Sequence, residues 1–152
     1  MSTIAVSDIK KIDDKNSRQA GIAALDPGSL TPSDVQGLIE LLADPYWPVR
    51  EAASKKLISI GPAVCASLVG AISGPSEDIR FWSSQILATI ADDNAIRLLI
   101  ESFASYEENE INMYSARALI KVGGKTAGPL MDALDSPNDL IRLYSQIGRA
   151  HV

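Results

Sequence analysis

One pattern of apolar, small and charged residues returns along the chain at a nearly constant interval. It is clearest in VREAASKKLISIGP, from Val49 to Pro62, and it returns in segments that begin at Ile79, Ile111 and Ile141. The intervals are 30, 32 and 30 residues (79−49, 111−79 and 141−111). A period in this range is typical of helical solenoids. Within each copy the apolar or small residues fall at offsets 0, 3, 4, 8 and 11, which share one face of an α-helix.

A second recurring segment lies between these helices and predicts a partner helix for each of them. Its copies are VQGLIELL at 35–42, CASLVGAI at 65–72, IRLLIESF at 96–103 and AGPLMDAL at 127–134. The aligned apolar columns are Val35/Cys65/Ile96/Ala127, Leu38/Leu68/Leu99/Leu130, Ile39/Val69/Ile100/Met131 and Leu42/Ile72/Phe103/Leu134. No charged residue occupies these columns although 22% of the chain is charged, so each unit is predicted to be a helix pair that stacks on its neighbours.

This order of residues resembles HEAT repeats, in particular the short HEAT-like repeats of phycobilisome lyase subunits. The resemblance is carried by Leu42-Ala43-Asp44-Pro45, Val49-Arg50, Ala52-Ala53, Leu57 and Ile60-Gly61, with weaker matches at Ile79-Arg80, Ile111-Asn112, Gly123, Asp135-Ser136-Pro137 and Ile141-Arg142. It implies an all-α fold, a right-handed α-solenoid of antiparallel helix pairs (an armadillo-like superhelix). It also implies protein–protein binding, which this family uses for many unrelated tasks.

The period divides the chain into three parts. Residues 1–12 show no clear period and are predicted to be an irregular lead-in. Residues 13–146 are predicted to be the repeat domain, with about four repeats and a degenerate capping helix at 13–25. The helix pairs are predicted at 32–43 with 47–60, 63–73 with 77–90, 94–104 with 109–122, and 126–135 with 139 onward.

Residues 147–152 are predicted to be a non-native tail. Arg149 occupies a position that is leucine in the other copies, and burying an unpaired arginine is costly. Gly148 also falls inside the helix, where glycine costs about 1 kcal/mol relative to alanine. The stretch Ile147–Val152 resembles the translation of a common sequencing adapter. We therefore expect the repeat to fail after Gln146 and the natural protein to continue as a longer array, without His151.

Several helix ends carry recognisable signals. Thr31-Pro32-Ser33-Asp34 supplies an N-cap, a proline at the first helical position and an acid three residues after the cap. Gly61-Pro62 is predicted to end one helix and begin the next, and Gly123-Gly124 repeats the stop. Asp92 replaces this signal with a capping aspartate.

The charge balance bears on partners and location. The net charge is −5 and the pI is near 4.8, whereas a nucleic-acid-binding protein needs a basic stripe, and none is found. No apolar run approaches eighteen residues, and no leader-like segment is present. The sequence therefore predicts a cytoplasmic protein that binds neither nucleic acid nor membranes.

Few side chains suggest chemistry. Cys65 is the only cysteine, and it is either a thiol nucleophile or attachment point, or a small buried hydrophobe, which we favour. With no credible histidine, neither activation of that thiol nor a metal site is expected. Glu107, Glu108 and Glu110 form either an acidic recognition loop or, as we favour, solvated charge at a helix N-terminus.

Arginine recurs once per repeat, as Arg18, Arg50, Arg80 and Arg142. These side chains could bind an acidic ligand, but we favour a structural role in which each bonds the neighbouring turn or an acid such as Asp44 or Asp135. The next position, offset 2, faces away from the predicted core and holds Glu51, Phe81, Met113 and Leu143. With the flanking residues Gln85, Ala88, Arg117 and Ile120, this column is our predicted partner-binding surface, unless local twist buries Phe81 and Leu143.

Together these patterns favour a non-catalytic scaffold or adaptor that binds another protein on its concave face, without cofactor or metal. Resemblance to the lyase repeats would imply instead a subunit of a phycobilin lyase-type enzyme that handles a bilin chromophore. Apart from Trp47 and Trp82, however, the sequence offers no pocket residues for one, and Trp82 aligns with Ala52, which is predicted to be buried. A HEAT-like DNA glycosylase is the third possibility, and the negative charge argues against it.

Overall fold

A computed structural model describes residues 4–104 and 109–152, and the regular elements in these ranges are helical. The α-helices are α1 (Val6–Ile9), α2 (Lys15–Ala23), α3 (Pro32–Glu40), α4 (Trp47–Ile60), α5 (Cys65–Ala71), α6 (Glu77–Ile90), α7 (Asp93–Ser102), α8 (Asn109–Val122), α9 (Ala127–Ala133) and α10 (Asp139–Arg149). Short 3₁₀ turns lie at Pro27–Ser29, Leu41–Ala43, Pro62–Val64 and Gly124–Thr126. The chain divides into two compact units, Met1–Val64 and Cys65–Val152.

In the first unit, two helix pairs stack on each other. Helix α1 pairs with α2 and α3 pairs with α4, while α1 also packs on α3 and α2 on α4. Its fully buried core combines Ile22 of α2 with residues of the apolar columns, namely Leu38, Leu42, Val49 and Leu57. The predicted capping helix at 13–25 is present as α2, and it packs on a partner helix, α1.

That partner corrects the prediction of an irregular lead-in at 1–12. Val6 and Ile9 of α1 are fully buried, and the Val6 amide donates to the Asp34 carboxylate at 3.1 Å. Gly37 of α3 lets α1 approach, because a Cβ there would lie 2.7 Å from Val6 Cγ1. A helix of four residues is too short to show a period, which is why the sequence pattern misses it.

In the second unit, three helix pairs stack in chain order. Helices α5, α7 and α9 form one layer and α6, α8 and α10 form the other, with each helix packed on the next in its layer. The column Leu68, Leu99 and Leu130 is fully buried. The predicted all-α solenoid arrangement, in which neighbouring pairs complete one core, is thus confirmed within each unit.

The predicted capping signals are confirmed. Thr31 and Asp34 form a reciprocal capping box at the start of α3. Helices α4 and α8 end at Gly61 and Gly123, whose φ values of 83° and 88° suit glycine alone among common residues. The Asp92 side chain accepts from the Ala95 amide at 2.8 Å and starts α7.

The repeat pattern weakens toward the end of the second unit. Met131 is 48% exposed although it lies in one of the columns that are predicted to form the core. Helix α10 runs to Arg149, three residues beyond the expected failure at Gln146, and Gly148 packs against Leu130. Because Arg149 is exposed, no charge is buried there. The interpretation of 147–152 as a non-native tail stays a prediction.

Candidate functional site

The recurring arginines share one contact that explains why they recur. In three of the four, guanidinium Nη1 donates to the backbone carbonyl of the residue six positions earlier, in the loop before the helix. The pairs are Arg18 with Ile12 at 2.7 Å, Arg80 with Gly74 at 2.8 Å and Arg142 with Ser136 at 2.7 Å. The arginine thereby fastens the first turn of its helix to the preceding loop, and the predicted structural role is confirmed.

The acids that accompany these arginines differ between repeats. Arg18 meets Asp44 through two hydrogen bonds, Nε to Oδ2 at 3.0 Å and Nη2 to Oδ1 at 3.2 Å, and both side chains are under 10% exposed. Arg80 meets Glu110 at 3.2 Å, where the glutamate is exposed. Arg142 contacts Asp139 rather than the predicted Asp135. These acids pair with the arginines within the fold.

Cys65 is buried, as we favoured, and its thiol lies 3.9 Å from the Ile90 carbonyl. Burial raises the pKa of the Cys65 thiol above its ordinary value, and the Asp92 carboxylate raises it further. A thiol held protonated in this way is a poor nucleophile at neutral pH. Across 4–104 and 109–152, no group of three His, Cys, Asp or Glu residues is placed to hold a metal ion.

The acidic cluster falls partly outside the described residues, since Glu107 and Glu108 lie beyond them. Glu110 is exposed in the first turn of α8 and pairs with Arg80. This one contact is the arrangement expected of solvated charge at a helix N-terminus.

The outward column of the second unit is partly exposed to solvent. Phe81 on α6 is 47% exposed and Leu143 on α10 is 48% exposed, while Met113 on α8 is half-buried. Two positions further along the same helices, Ser83, Ser115 and Ser145 are buried. Two residues turn an α-helix by about 200°, so a buried serine there leaves offset 2 facing outward.

The flanking residues lie further along the same helices. Gln85 and Ala88 on α6 and Ile120 on α8 are half-buried, and Arg117 on α8 is exposed. We define the outward face of the second unit as these four residues with Phe81, Met113, Leu143 and Lys121. The sequence prediction missed Lys121, whose signal is its place one turn after Arg117 on the same helix face.

Contacts between side chains hold parts of this outward face in place. The Lys121 ammonium donates to the Gln85 side-chain oxygen and so links α8 to α6. The Arg117 guanidinium lies over the Tyr114 ring, 5.8 Å from its centroid. Phe81 meets the half-buried Trp82 edge to face, with centroids 5.9 Å apart. The face thus presents apolar surface beside two cations.

Glu51, the remaining member of the predicted column, lies in the first unit and has a different setting. Its carboxylate is 3.2 Å from the Lys55 ammonium, and both residues line a groove of about 340 Å³ between α2 and α4. Ala52 also lines this groove and is half-buried, so the prediction that it is buried is wrong. At this position the first unit presents charge where the second presents apolar side chains.

The segment that forms α3 and α4 matches a known family of helical repeats. Residues 35–64 match the family model described as HEAT repeat. This segment of the chain is a HEAT repeat. HEAT repeats are helical scaffolds that generally serve protein interactions. The finer resemblance to phycobilisome lyase repeats stays an expectation.

Comparison with known proteins adds little to this HEAT assignment. No curated protein matches the chain. Similar solved structures include three engineered proteins from the Northeast Structural Genomics Consortium, each with a TM-score of 0.39. They are 16%, 16% and 15% identical to this chain, cover 98%, 96% and 96% of it, and are themselves covered to 84%, 46% and 78%.

Across the described ranges, no single helix of this protein is long and apolar enough to cross a membrane. Joined end to end, two consecutive helical stretches, Trp47–Ile60 and Pro62–Ala71, reach that length and composition.

Proposed function

We propose that this HEAT-repeat protein is a non-catalytic scaffold or adaptor that binds another protein through the outward face of its second unit. One observation carries the proposal: Phe81, Met113 and Leu143 stand in register on the three neighbouring helices of one layer, α6, α8 and α10, and are exposed or half-buried. Single exposed apolar residues are common on protein surfaces, but a row of them in register is a mark of interaction sites.

The chemistry-bearing groups of the chain support a non-catalytic role. Cys65 is buried, and burial raises the pKa of its thiol. Arg18, Arg80 and Arg142 bond loop carbonyls within their own repeats. These groups serve the fold, whereas the outward face exposes the apolar side chains of Phe81 and Leu143.

The test compares the double variant Phe81→Ser/Met113→Ser with the control Met131→Ser. Met131 is also exposed and apolar and lies in the same unit, but it belongs to the other helix layer. Proteins captured by the wild type are identified by quantitative mass spectrometry, and the affinity of each purified partner is then measured by calorimetry.

We expect the double variant to lose at least about tenfold in affinity, since residues at the centre of an interface carry most of its binding energy. The Met131 variant should bind as the wild type does. Unchanged affinity in a folded double variant would overturn the proposal, and so would equal losses in both variants.

A further inference from the structure

We propose that the outward face binds a linear segment of the partner protein that combines apolar side chains with carboxylates. This proposal rests on the proposed function and adds the chemistry of the partner. It is drawn from the distribution of charge over the second helices of the second unit.

Acids on these three helices are confined to their first turns, at Glu77, Asp78, Glu110 and Asp139. Beyond those turns, the segments 79–90, 111–122 and 141–146 contain no Asp or Glu. The whole chain nevertheless carries a net charge of −5. The outward face therefore differs in sign from the protein that bears it.

Two cations give the face its charge. Arg80 and Arg142 are matched by Glu110 and Asp139, so they contribute little to it. Arg117 and Lys121 are exposed and contact neutral groups, the Tyr114 ring and the Gln85 amide. Lys121 also suits the last turn of α8, where the helix dipole favours a cation, but Arg117 lies well before that turn.

The spacing along α8 sets the pattern of the ligand. Arg117 and Lys121 follow Met113 by four and eight residues on the same helix face. At 1.5 Å per residue they lie about 6 and about 12 Å further along the axis. An extended segment advances about 3.3 Å per residue, so its acids should fall about two and about four residues from its apolar anchor.

The experiment is a selection from a random peptide display library on the purified protein, followed by affinity measurement on synthetic copies of the enriched peptides. The test variant is Arg117→Glu/Lys121→Glu. The matched control is Arg97→Glu, which reverses an exposed cation on α7 of the same unit, in the other helix layer. Circular dichroism confirms that each variant is folded.

We expect enriched peptides to be acidic. One carboxylate should lie about two residues, and a second about four residues, from an apolar residue. Reversal of both charges should weaken them about tenfold or more, and added salt should weaken them as well, because exposed charge pairs are screened. The Arg97 variant and the wild type should bind them alike.

Enrichment of neutral or basic peptides, indifference to the double charge reversal, or no enrichment would each overturn the inference. Its failure differs from failure of the proposed function. If Phe81→Ser/Met113→Ser abolishes partner binding while Arg117→Glu/Lys121→Glu does not, the interaction role stands and the acidic ligand falls. Analytical ultracentrifugation gives one more outcome. If the wild type is a dimer and Phe81→Ser/Met113→Ser is a monomer, the outward face binds a second copy of the chain, which would overturn the inference.

Discussion

The second helices of the two units agree at one position and differ at the next. In the first unit Arg18 is followed by a polar residue, and at the equivalent place on α4 Glu51 pairs with Lys55. In the second unit Arg80 and Arg142 make the same loop contact as Arg18, but the residue that follows them is exposed and apolar. The arginine position is fixed by the fold, whereas the position beside it faces solvent and is open to selection for binding.

The shared arginine also shows how much a unit depends on one contact. Arg18 and Asp44 are both buried, and Asp44 accepts the Tyr46 amide as well, at 2.9 Å. The Arg80–Glu110 pair in the second unit leaves Glu110 in solvent. Removing the acid that pairs with the arginine should therefore lower the free energy of unfolding more in the first unit than in the second. Substitutions can measure this difference.

The largest effect is expected from Asp44→Ala. It leaves the buried Arg18 guanidinium without its carboxylate, and breaking a buried pair in this way costs about 3–5 kcal/mol. The matched change Glu110→Ala removes an exposed partner and should cost about 0–1 kcal/mol. Urea unfolding measures both, and Trp47 and Trp82 report on the first and second unit by fluorescence. Equal losses would show that the two arginines are held alike and would break the comparison.

A smaller effect is expected from Gly37→Ala in the first unit. The added Cβ would lie 2.7 Å from Val6 Cγ1, so α1 must shift, and overpacking of this kind costs about 1–3 kcal/mol. Gly70→Ala is the control, because a Cβ there has nothing within 4 Å and α5 gains helix propensity of up to about 1 kcal/mol. Opposite signs in urea unfolding are expected. If Gly37→Ala also stabilises the protein, the docking of α1 on α3 is wrong.

The next effect in size is the dependence of the first unit's stability on pH. Asp34 accepts the Thr31 amide at 3.0 Å, the Thr31 hydroxyl at 2.7 Å and the Val6 amide at 3.1 Å, and these bonds hold the pKa of Asp34 below its ordinary value of 3.8. A lowered pKa means that the contribution is complete above pH 3.8 and is lost as the pH falls through the native pKa.

The variant Asp34→Asn tests this contribution. At pH 7 it should unfold with about 1 kcal/mol less free energy than the wild type, the usual worth of a helix cap. The gap should narrow between about pH 4 and pH 2, because the wild-type carboxylate is then protonated. A gap that stays constant over this range would assign the loss to the changed side chain and not to its charge.

The sequence predicted the repeat-bearing helices well for a physical reason. The stretches at 47–60, 77–90 and 109–122 match α4, α6 and α8, because a core stripe and a glycine or aspartate just after it indicate the same ends. Helix α1 was not predicted, because its four residues are positioned by contacts with Asp34 and Gly37 in a distant part of the sequence. Such long-range support leaves no local period.

The outward face was only partly predictable. Offset counting placed Phe81, Met113 and Leu143 away from the core, but the width of a buried helix stripe depends on how closely the neighbouring helices approach. The small residues Ser83 and Ser115 face inward, so the larger outward side chains stay exposed. The contribution of Lys121 depends on its contact with Gln85 across two helices, which a single helix pattern does not contain.

The smallest effect is expected from Phe81→Ala, and it examines the outward position directly. The chain has two phenylalanines, both in the second unit: Phe81 is 47% exposed, whereas Phe103 is fully buried and stacks on Tyr144 with centroids 5.3 Å apart. Full burial of a phenylalanine is worth about 1.5–3 kcal/mol, so the half-exposed Phe81 should cost about 1 kcal/mol or less. Phe103→Ala should cost about 3–5 kcal/mol.

Urea unfolding followed by circular dichroism separates the two phenylalanines without relying on Trp82, which touches Phe81. A small loss for Phe81 means that this side chain is not retained for stability, and a binding role then explains its place. A loss as large as that of Phe103 would mean that the outward column belongs to the core. The second unit would then differ from the first only in how it packs, and the Glu51 position would be the exception to explain.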